Sequence, residues 1–541
     1  MAGVASELAT PRDACYRPCV TDLVIRGGLV IDGSGAPACR ADVAVRGDRI
    51  VTVGHVPGRA ARVLDAAGGV VAPGFIDVHG HSDSALFLNP AMESKVRQGI
   101  TTEVIGNCGA SLAPLAGEAV AVAAAELERY GVPLRWRTVA EYLAEAEASG
   151  LAINVALLVG HDALRHSVVG TAARPADNAE IRAMQSLLDR ALEDGAIGLS
   201  SGLAYTPGAF ATPAEIASLA RVVAGRGVYA THLRDEGAGL RSAIDEALEA
   251  ARLSAVRLQI SHLKASGAPQ HGMLRGVLAW LDGERASGVD VGWDVYPYTV
   301  ASTTLAATFP PWLHDGGPDS FLARLRDPAI RSTLRREFET GGWPSLALDA
   351  GWEGVVITGA RGRPDAVGRS VAALASRTGR HPVDEAIEVL LAAEGAVGAI
   401  FHTLSGADVA AAIAHPWTVF GTDSVARTPQ GRLGRGRPHP RGYGAFPRLL
   451  RGRTLAELET LIPRMTNLPA RRMGIENRGV LAPGAFADIV VFDPATIADR
   501  ATYDNPHRFP AGVWWVIVNG AVVVAPEGQL AARPGRVLRR P

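Results

Sequence analysis

The chain has 541 residues, of which 48% are hydrophobic and 20% charged, a composition typical of a folded protein with more than one domain. Its 54 basic and 55 acidic residues nearly cancel, and no apolar run is long enough to span a bilayer, so we expect neither nucleic-acid nor membrane partners. The N-terminus has no signal-peptide pattern, and four cysteines do not make a disulfide framework, so we expect a cytoplasmic protein.

Both ends of the chain contain short strand-like runs. Residues 1–19 are expected to be flexible, whereas 20–72 and 475–541 alternate apolar runs with turn residues. The segment 42–50 has the tight turn and the alternation of a hairpin. Because neither end is long enough to complete a sheet alone, we expect the two ends to form one small β-sandwich domain.

The region between them, residues 73–474, alternates strand-like runs with helical stretches. The eight predicted strands end at His79, Ile105, Val159, Leu199, His232, His262, Tyr296 and Thr422. Eight such units predict an α/β fold with a (β/α)8 TIM-like barrel. A ninth apolar run at 397–404 leaves open which run lies outside the barrel.

Residues from about 300 to 360 interrupt this alternation with a Pro- and Trp-rich stretch. They follow a barrel strand, at the face where barrels keep their active sites. We therefore expect a lid-like insertion, although a surface decoration would give the same pattern.

Potential metal ligands fall repeatedly at the predicted strand ends, which in a parallel barrel meet at one face. They are His79, His81, Cys108, His232, His262 and Asp423. Each of these alone could be a core residue, or for Asp423 a helix cap, but their joint placement favours a site. Three nitrogen or sulfur ligands with one open position are typical of a catalytic zinc ion.

Six motifs carry a resemblance to a known family. They are Gly106–Gly109, Thr231–Glu236, Ile260–Lys264, Asp294–Tyr298, Gly421–Ser424 and His439–Gly444. With these motifs, residues from about 22 to 525 resemble the N-acyl-D-amino-acid deacylase (D-aminoacylase) family of the amidohydrolase superfamily. The resemblance implies a zinc-dependent hydrolase that cleaves the amide of a small N-acyl-D-amino acid to a carboxylate and a free D-amino acid.

The resemblance also implies a ligand set. One tight zinc would lie at Cys108, His232 and His262, and a second, weaker position at His79 and His81. Many two-metal amidohydrolases bridge their ions with a carboxylated lysine on the fourth strand, but residues 196–202 contain no lysine. The thiolate of Cys108 is the candidate replacement, because thiolates bind zinc well.

The chemistry of amide hydrolysis suggests further roles. Asp423 is expected to take a proton from the attacking water and pass it to the leaving nitrogen. Lys264 is one of only two lysines, with Lys95, in a chain otherwise rich in arginine, which suggests that arginine would not serve there. Because Lys264 lies two positions after His262, strand alternation would point it to the same side, where it could hold the product carboxylate.

Three other residues are candidates for substrate binding. Tyr296 and Ser302 resemble family residues that help to hold the carboxylate. Arg441 is a further candidate, although a solvated surface loop is an equal reading of its basic surroundings.

Two alternative functions remain at this stage: a cyclic-amide hydrolase of the hydantoinase or dihydroorotase type, against which the missing fourth-strand lysine counts, and a non-catalytic barrel. The sequence leaves open the side-chain preference, the acyl preference, D against L handedness on physical grounds, the number of metal ions and the oligomeric state.

Overall fold

The computed structural model describes residues 21–540, so the predicted flexible segment 1–19 lies outside the described residues. The first five strands belong to one nine-stranded sheet. They are β1 (Thr21–Val30), β2 (Cys39–Arg46), β3 (Arg49–Gly54), β4 (Ala60–Asp65) and β5 (Val70–Pro73). Strands β2 and β3 are antiparallel around a turn at residues 47–48, which confirms the predicted hairpin.

Strand β1 branches this sheet. Its register with β2 shifts between Ile25 and Gly28, and Gly27 there has φ of 72°, a conformation that glycine adopts without strain. Before the shift β1 pairs with β4, and after it with β5. The register shift therefore lets β1 pair with β4 over its first residues and with β5 over its last ones.

Seven parallel strands follow, each ending within three residues of its predicted end. They are β6 (Phe75–Asp77), β7 (Ile100–Ile105), β8 (Asn154–Gly160), β9 (Gly198–Gly202), β10 (Val228–His232), β11 (Arg257–Ile260) and β12 (Val291–Val295). The helices between them are α1 (Ala85–Leu88), α2 (Glu93–Val96), α3 (Ala119–Tyr130), α4 (Val139–Ala148), α5 (His161–Val168), α6 (Asn178–Glu193), α7 (Pro213–Val223), α8 (Leu240–Ser254) and α9 (Leu274–Ala286).

An insertion with its own sheet and apolar core comes next. Its strands are β13 (Ala301–Thr304), β14 (Val355–Ala360) and β15 (Val397–Phe401), and its helices α10 (Gly317–Arg326), α11 (Pro328–Thr340), α12 (Leu346–Gly354), α13 (Val371–Thr378) and α14 (Pro382–Ala392). The ninth apolar run is therefore the central strand of this sheet and not part of the barrel. Sheet and core reach residue 401, past the limit of about 360 expected from the sequence, because that run could equally be read as a barrel strand.

The eighth barrel strand, β16 (Thr418–Phe420), pairs with β12 and returns to β6. The amide of Val78 donates to the carbonyl of Phe420 at 3.4 Å, and that of Asp423 to the carbonyl of His79 at 2.8 Å. The helices around it are α15 (Gly406–Ala414), α16 (Arg441–Leu450), α17 (Leu455–Met465) and α18 (Asn467–Met473). These bonds close the sheet and confirm the predicted (β/α)8 barrel.

The last strands return to the first sheet, as expected. They are β17 (Ile489–Phe492), β18 (Val513–Val518), β19 (Ala521–Ala525) and β20 (Gly528–Gln529). Strand β17 pairs with β5, which joins the two chain ends in one nine-stranded sheet. The final strand, β21 (Val537–Leu538), leaves this domain and pairs with β8 in the barrel wall, at the part of β8 that does not pair with β9.

Within residues 21–540, none of the helices is both long enough and apolar enough to cross a membrane.

Candidate metal centre

The carboxyl ends of the barrel strands surround a cavity of about 1050 Å³. The cavity wall includes five of the six predicted metal-site residues, namely His81, Cys108, His232, His262 and Asp423. The sixth, His79, is fully buried directly behind Cys108. The structure thus brings all six residues together.

Cys108 lies between two imidazoles. Its Sγ is 3.2 Å from His79 Nε2 and 3.4 Å from His262 Nε2. Burial raises the pKa of Cys108, but His79 and His262 together hold it well below its ordinary value. This favours the thiolate, the form of cysteine that binds metal ions.

Two buried carboxylates orient these imidazoles. His79 Nδ1 lies 3.1 Å from Asp294 Oδ1, and His262 Nδ1 lies 3.0 Å from Glu236 Oε1. Metal-binding histidines commonly give their second ring nitrogen to a carboxylate, which leaves the first one facing the metal. Asp294 and Glu236 lie in two of the quoted motifs, but their roles could not be predicted from the sequence because their partners lie on other strands.

His232 has an unpaired ring nitrogen. Its ring lies 4.4 Å from that of His262 between centroids, yet its Nδ1 is buried and has no hydrogen-bond partner. A buried polar atom without a partner costs free energy, and coordination of a metal ion would remove that cost. The residues present therefore fit a metal ion.

The possible ligand atoms fall into overlapping sets within 4.8 Å of one another. The sets are His79, Cys108 and His262; His79, His81 and Asp423; and His232, Glu236 and His262. His79 and His262 each belong to two sets. The cluster is therefore wide enough for more than one adjacent metal position. His79 contacts Cys108 directly, although the resemblance implies that His79 belongs to the weaker position and Cys108 to the tight one.

Three of the clustered residues have a backbone conformation that non-glycine residues rarely adopt. The φ values of Cys108, His262 and Asp423 are 53°, 34° and 46°. Such conformations are strained and persist where the surrounding structure enforces them, often at functional sites. Each of these turns aims its side chain at the cavity immediately after a strand ends.

The turn at His262 means that the position of Lys264 does not follow from the strand alternation that the sequence suggested. Because β11 ends at Ile260, strand alternation does not extend from His262 to Lys264. Lys264 still lines the cavity, but its Nζ lies 2.7 Å from His262 Nδ1 and 2.5 Å from Glu236 Oε1. Its ammonium therefore holds the Glu236 carboxylate beside the His262 ring.

The other three predicted substrate-binding residues also line the cavity. Arg441 Nη1 lies 2.9 Å from Asp423 Oδ2, and its guanidinium lies 4.5 Å above the Tyr296 ring. The Tyr296 hydroxyl is buried without a partner, whereas Ser302 Oγ donates to the carbonyl of Ala399 at 3.0 Å. Burial raises the pKa of Asp423, but Arg441 and His81 help to hold it well below its ordinary value, which keeps the carboxylate ionised.

The fourth strand, which lacks the lysine, supports the Cys108 loop instead. Ser200 Oγ accepts from the Gly109 amide at 3.0 Å and donates to the Gly106 carbonyl at 2.5 Å. A Cβ on Gly202 would lie only 2.2 Å from the Cys108 carbonyl oxygen. The strand thus packs directly against the loop that supplies the thiol.

Beneath the cluster, Lys95 is completely buried. Its Nζ donates to Asp77 Oδ2 at 2.8 Å, Thr422 Oγ1 at 2.6 Å and the Ser424 carbonyl at 2.8 Å, and lies 3.0 Å from Glu103 Oε1. A compact ammonium can reach several acceptors packed around one point, which a planar guanidinium cannot.

The Lys95 network connects the elements that carry the cluster. Asp77 Oδ1 accepts from the amides of His79 at 3.1 Å and Thr422 at 2.9 Å. The network therefore fixes the end of the first barrel strand against the end of the last, immediately below His79 and Asp423. Lys95 is conspicuous in the sequence as one of two lysines, but its partners are distant in the chain and its role could not be predicted.

This chain is similar to known proteins in both sequence and structure. Residues 62–524 match the family model described as "Amidohydrolase family". An N-acyl-D-glutamate deacylase and a D-aminoacylase of Alcaligenes xylosoxydans xylosoxydans are 39% and 38% identical, over 96% of this chain and 96% and 98% of theirs. The crystal structure of an N-acyl-D-glutamate deacylase from Bordetella bronchiseptica, complexed with zinc and a phosphonate inhibitor, superposes with a TM-score of 0.80 at 39% identity over 96% of this chain and all of that one.

We predict that Lys95→Met lowers the free energy of unfolding by about 3–5 kcal/mol, because it leaves Asp77 and Glu103 buried without their cation. The measurement is the shift in thermal unfolding midpoint relative to wild type. Arg226→Met, which removes a partly exposed partner of Asp189, is the control and should shift it far less. A Lys95 variant that unfolds at the wild-type temperature would contradict this role.

Proposed function

This chain belongs to the amidohydrolase family, and we propose that it is a zinc-dependent hydrolase that cleaves the amide of N-acyl-D-amino acids to a carboxylate and a free D-amino acid. The observation that carries the proposal is the position of the Cys108 thiol between His79 Nε2 and His262 Nε2 at the barrel mouth. The relatives named as deacylases match over nearly the whole chain, which supports the D configuration of the substrate.

For the metal, we propose that Cys108, His232 and His262 hold one tight zinc ion, and that His79 and His81 with Asp423 provide a second, weaker position. The unpaired Nδ1 of His232 and the depressed pKa of Cys108 support the first set. A zinc ion held there would supply a nucleophilic water at neutral pH and polarise the scissile carbonyl.

Asp423 is the proposed proton carrier. Its carboxylate faces the cavity 3.1 Å from His81 Nε2 and is kept ionised by Arg441, so it can accept the proton of the attacking water. Once protonated, it can donate that proton to the amide nitrogen as the C–N bond breaks. An asparagine at this position could do neither.

The carboxylate of the substrate would be held at the side of the cavity where β11 and β12 end. The unpartnered hydroxyl of Tyr296 and the guanidinium of Arg441 above it are the proposed contacts, with the backbone and hydroxyl of Ser302 nearby. Lys264 adds positive charge there while it holds Glu236 against His262.

A cytoplasmic location and the absence of nucleic-acid partners stay predictions.

The reaction is tested by offering the purified protein N-acetyl-D-methionine, N-acetyl-L-methionine, N-acetyl-D-glutamate and a hydantoin. We expect release of free amino acid from at least one D substrate and none from the L substrate. Opening of the hydantoin ring without release of amino acid would favour the cyclic-amide hydrolase instead. No turnover of any substrate by zinc-loaded protein would favour the non-catalytic barrel.

We predict that Asp423→Asn lowers kcat by about 10²–10⁴-fold, because proton transfer by a positioned group contributes a factor of that size. Steady-state kinetics on the best D substrate measures the effect, and zinc content confirms that the tight site is still loaded. Asp504→Asn, at a side chain 97% exposed, is the matched control and should behave as wild type. Unchanged turnover in a zinc-loaded Asp423 variant would refute the proposed proton carrier.

We also predict that Cys108→Ser loses most of its bound zinc and its activity together, because a neutral hydroxyl is a much poorer zinc ligand than a thiolate. Metal analysis after gel filtration measures the loss. Cys39→Ser, at an exposed thiol in the β domain, is the control and should retain both. Full zinc occupancy in the Cys108 variant would show that the thiol is not a ligand.

A further inference from the structure

A second cavity, of about 340 Å³, opens beside the candidate metal centre. It shares four wall residues with the main cavity, namely His81, Ala110, Asp162 and Val425. A group that leaves the metal centre past His81 therefore enters this side cavity directly. Its size lies within the range of pockets that bind small molecules.

The side cavity has one aliphatic stretch of wall, although half of its wall residues are polar or charged. The residues that provide it are Leu112 and Leu115 in the loop after β7, Ala119, Val122 and Ala123 on α3, and Val425 after β16. Four of these are almost fully buried, whereas Val122 is 38% exposed. The cavity thus includes both buried positions beside the barrel and a position that reaches the surface.

The wall of the side cavity also carries ionisable groups. The side cavity includes the carboxyl groups of Asp83, Glu126 and Asp162, and among its described wall residues there is no lysine or arginine. Its two imidazoles are those of His81, a proposed metal ligand, and His166, whose pKa is lowered by burial. The side cavity therefore offers a carboxylate no permanently charged cation and suits an uncharged alkyl group better. The α-carboxylate of an N-acyl amino acid would not be placed there.

The barrel topology sets the direction of a bound substrate. In the circle of eight strands, β7 lies opposite β11, and β8 lies opposite β12. Lys264 and Tyr296, on the side proposed to hold the carboxylate, follow β11 and β12. The side cavity is lined mainly by segments that follow β6, β7 and β8, with Val425 after β16. If the carboxylate is held at one side and the scissile bond at the metal centre, the acyl group points to the other side.

We propose that the side cavity binds the alkyl part of the acyl group, so that the enzyme favours N-acyl-D-amino acids with acyl chains longer than acetyl. This inference rests on the proposed function and adds the substrate class on the acyl side. Each methylene that enters an apolar pocket should raise kcat/KM by up to about fourfold, until the cavity is filled.

The test is a series of N-acetyl, N-butanoyl, N-hexanoyl and N-octanoyl derivatives of one D-amino acid, with the N-succinyl derivative as a charged analogue of N-butanoyl. We expect kcat/KM to rise about tenfold or more from acetyl to hexanoyl, and the succinyl derivative to be poorer than the butanoyl one. A flat or falling series with good acetyl turnover would overturn the side-cavity proposal and leave the deacylase function intact. No hydrolysis of any member would overturn both.

A pair of variants assigns the effect to this cavity. Val122→Trp should fill it and lower the hexanoyl-to-acetyl ratio of kcat/KM about tenfold, which reverses the gain expected from chain length. Ala125→Trp, at an exposed position on the same helix outside the cavity wall, is the matched control and should keep the wild-type ratio. A ratio unchanged in a folded Val122 variant would contradict the assignment, and the wild-type series decides the proposal if that variant does not fold.

Discussion

The ammonium of Lys95 lies where the ends of the first, second and last barrel strands meet, and the arrangement of the candidate metal centre depends on it. Burial lowers the pKa of Lys95, but Asp77 and Glu103 raise it above the ordinary value, so the group stays charged. Two buried carboxylates that are both ionised repel each other, and the cation of Lys95 offsets that repulsion. In the same network, Asp77 accepts hydrogen bonds from the amides of His79 and Thr422. The contacts that close the barrel therefore also position the candidate ligands.

Above that network, each reactive group is held by a partner from another strand. Asp294 faces His79, Glu236 faces His262, and Arg441 faces Asp423. The thiol of Cys108 occupies the centre, and Ser200 on the fourth strand anchors its loop by two hydrogen bonds. The fourth strand therefore contributes no side chain to the cluster directly and instead supports the loop that carries Cys108.

The sequence predicted the parts of the molecule that follow a simple period or a local motif. The eight barrel strands lie close to their predicted ends. The apolar spacing also predicts helices over 179–193, 212–225 and 240–253, and the structure has them at 178–193, 213–223 and 240–254. The strand at 397–401 could not be assigned, because its apolar run looks the same in a barrel as in the centre of a separate sheet. Local rules also failed at Lys264, because the strand ends at Ile260 and His262 turns the chain. The roles of Glu236, Asp294 and Lys95 depend on contacts between distant segments, which no local pattern reveals.

The position of β21 bears on how the molecule is assembled during synthesis. Val537 pairs with Val155, 382 residues earlier, and the amide of Arg536 donates to the Asn154 side chain at the same gap in the wall. Until these residues leave the ribosome, the lower edge of β8 has no partner there. Contacts so remote in sequence form slowly, and exposed strand edges invite association with other chains. This edge of the nascent barrel therefore stays exposed to association with other chains until residues 536–538 have been synthesised.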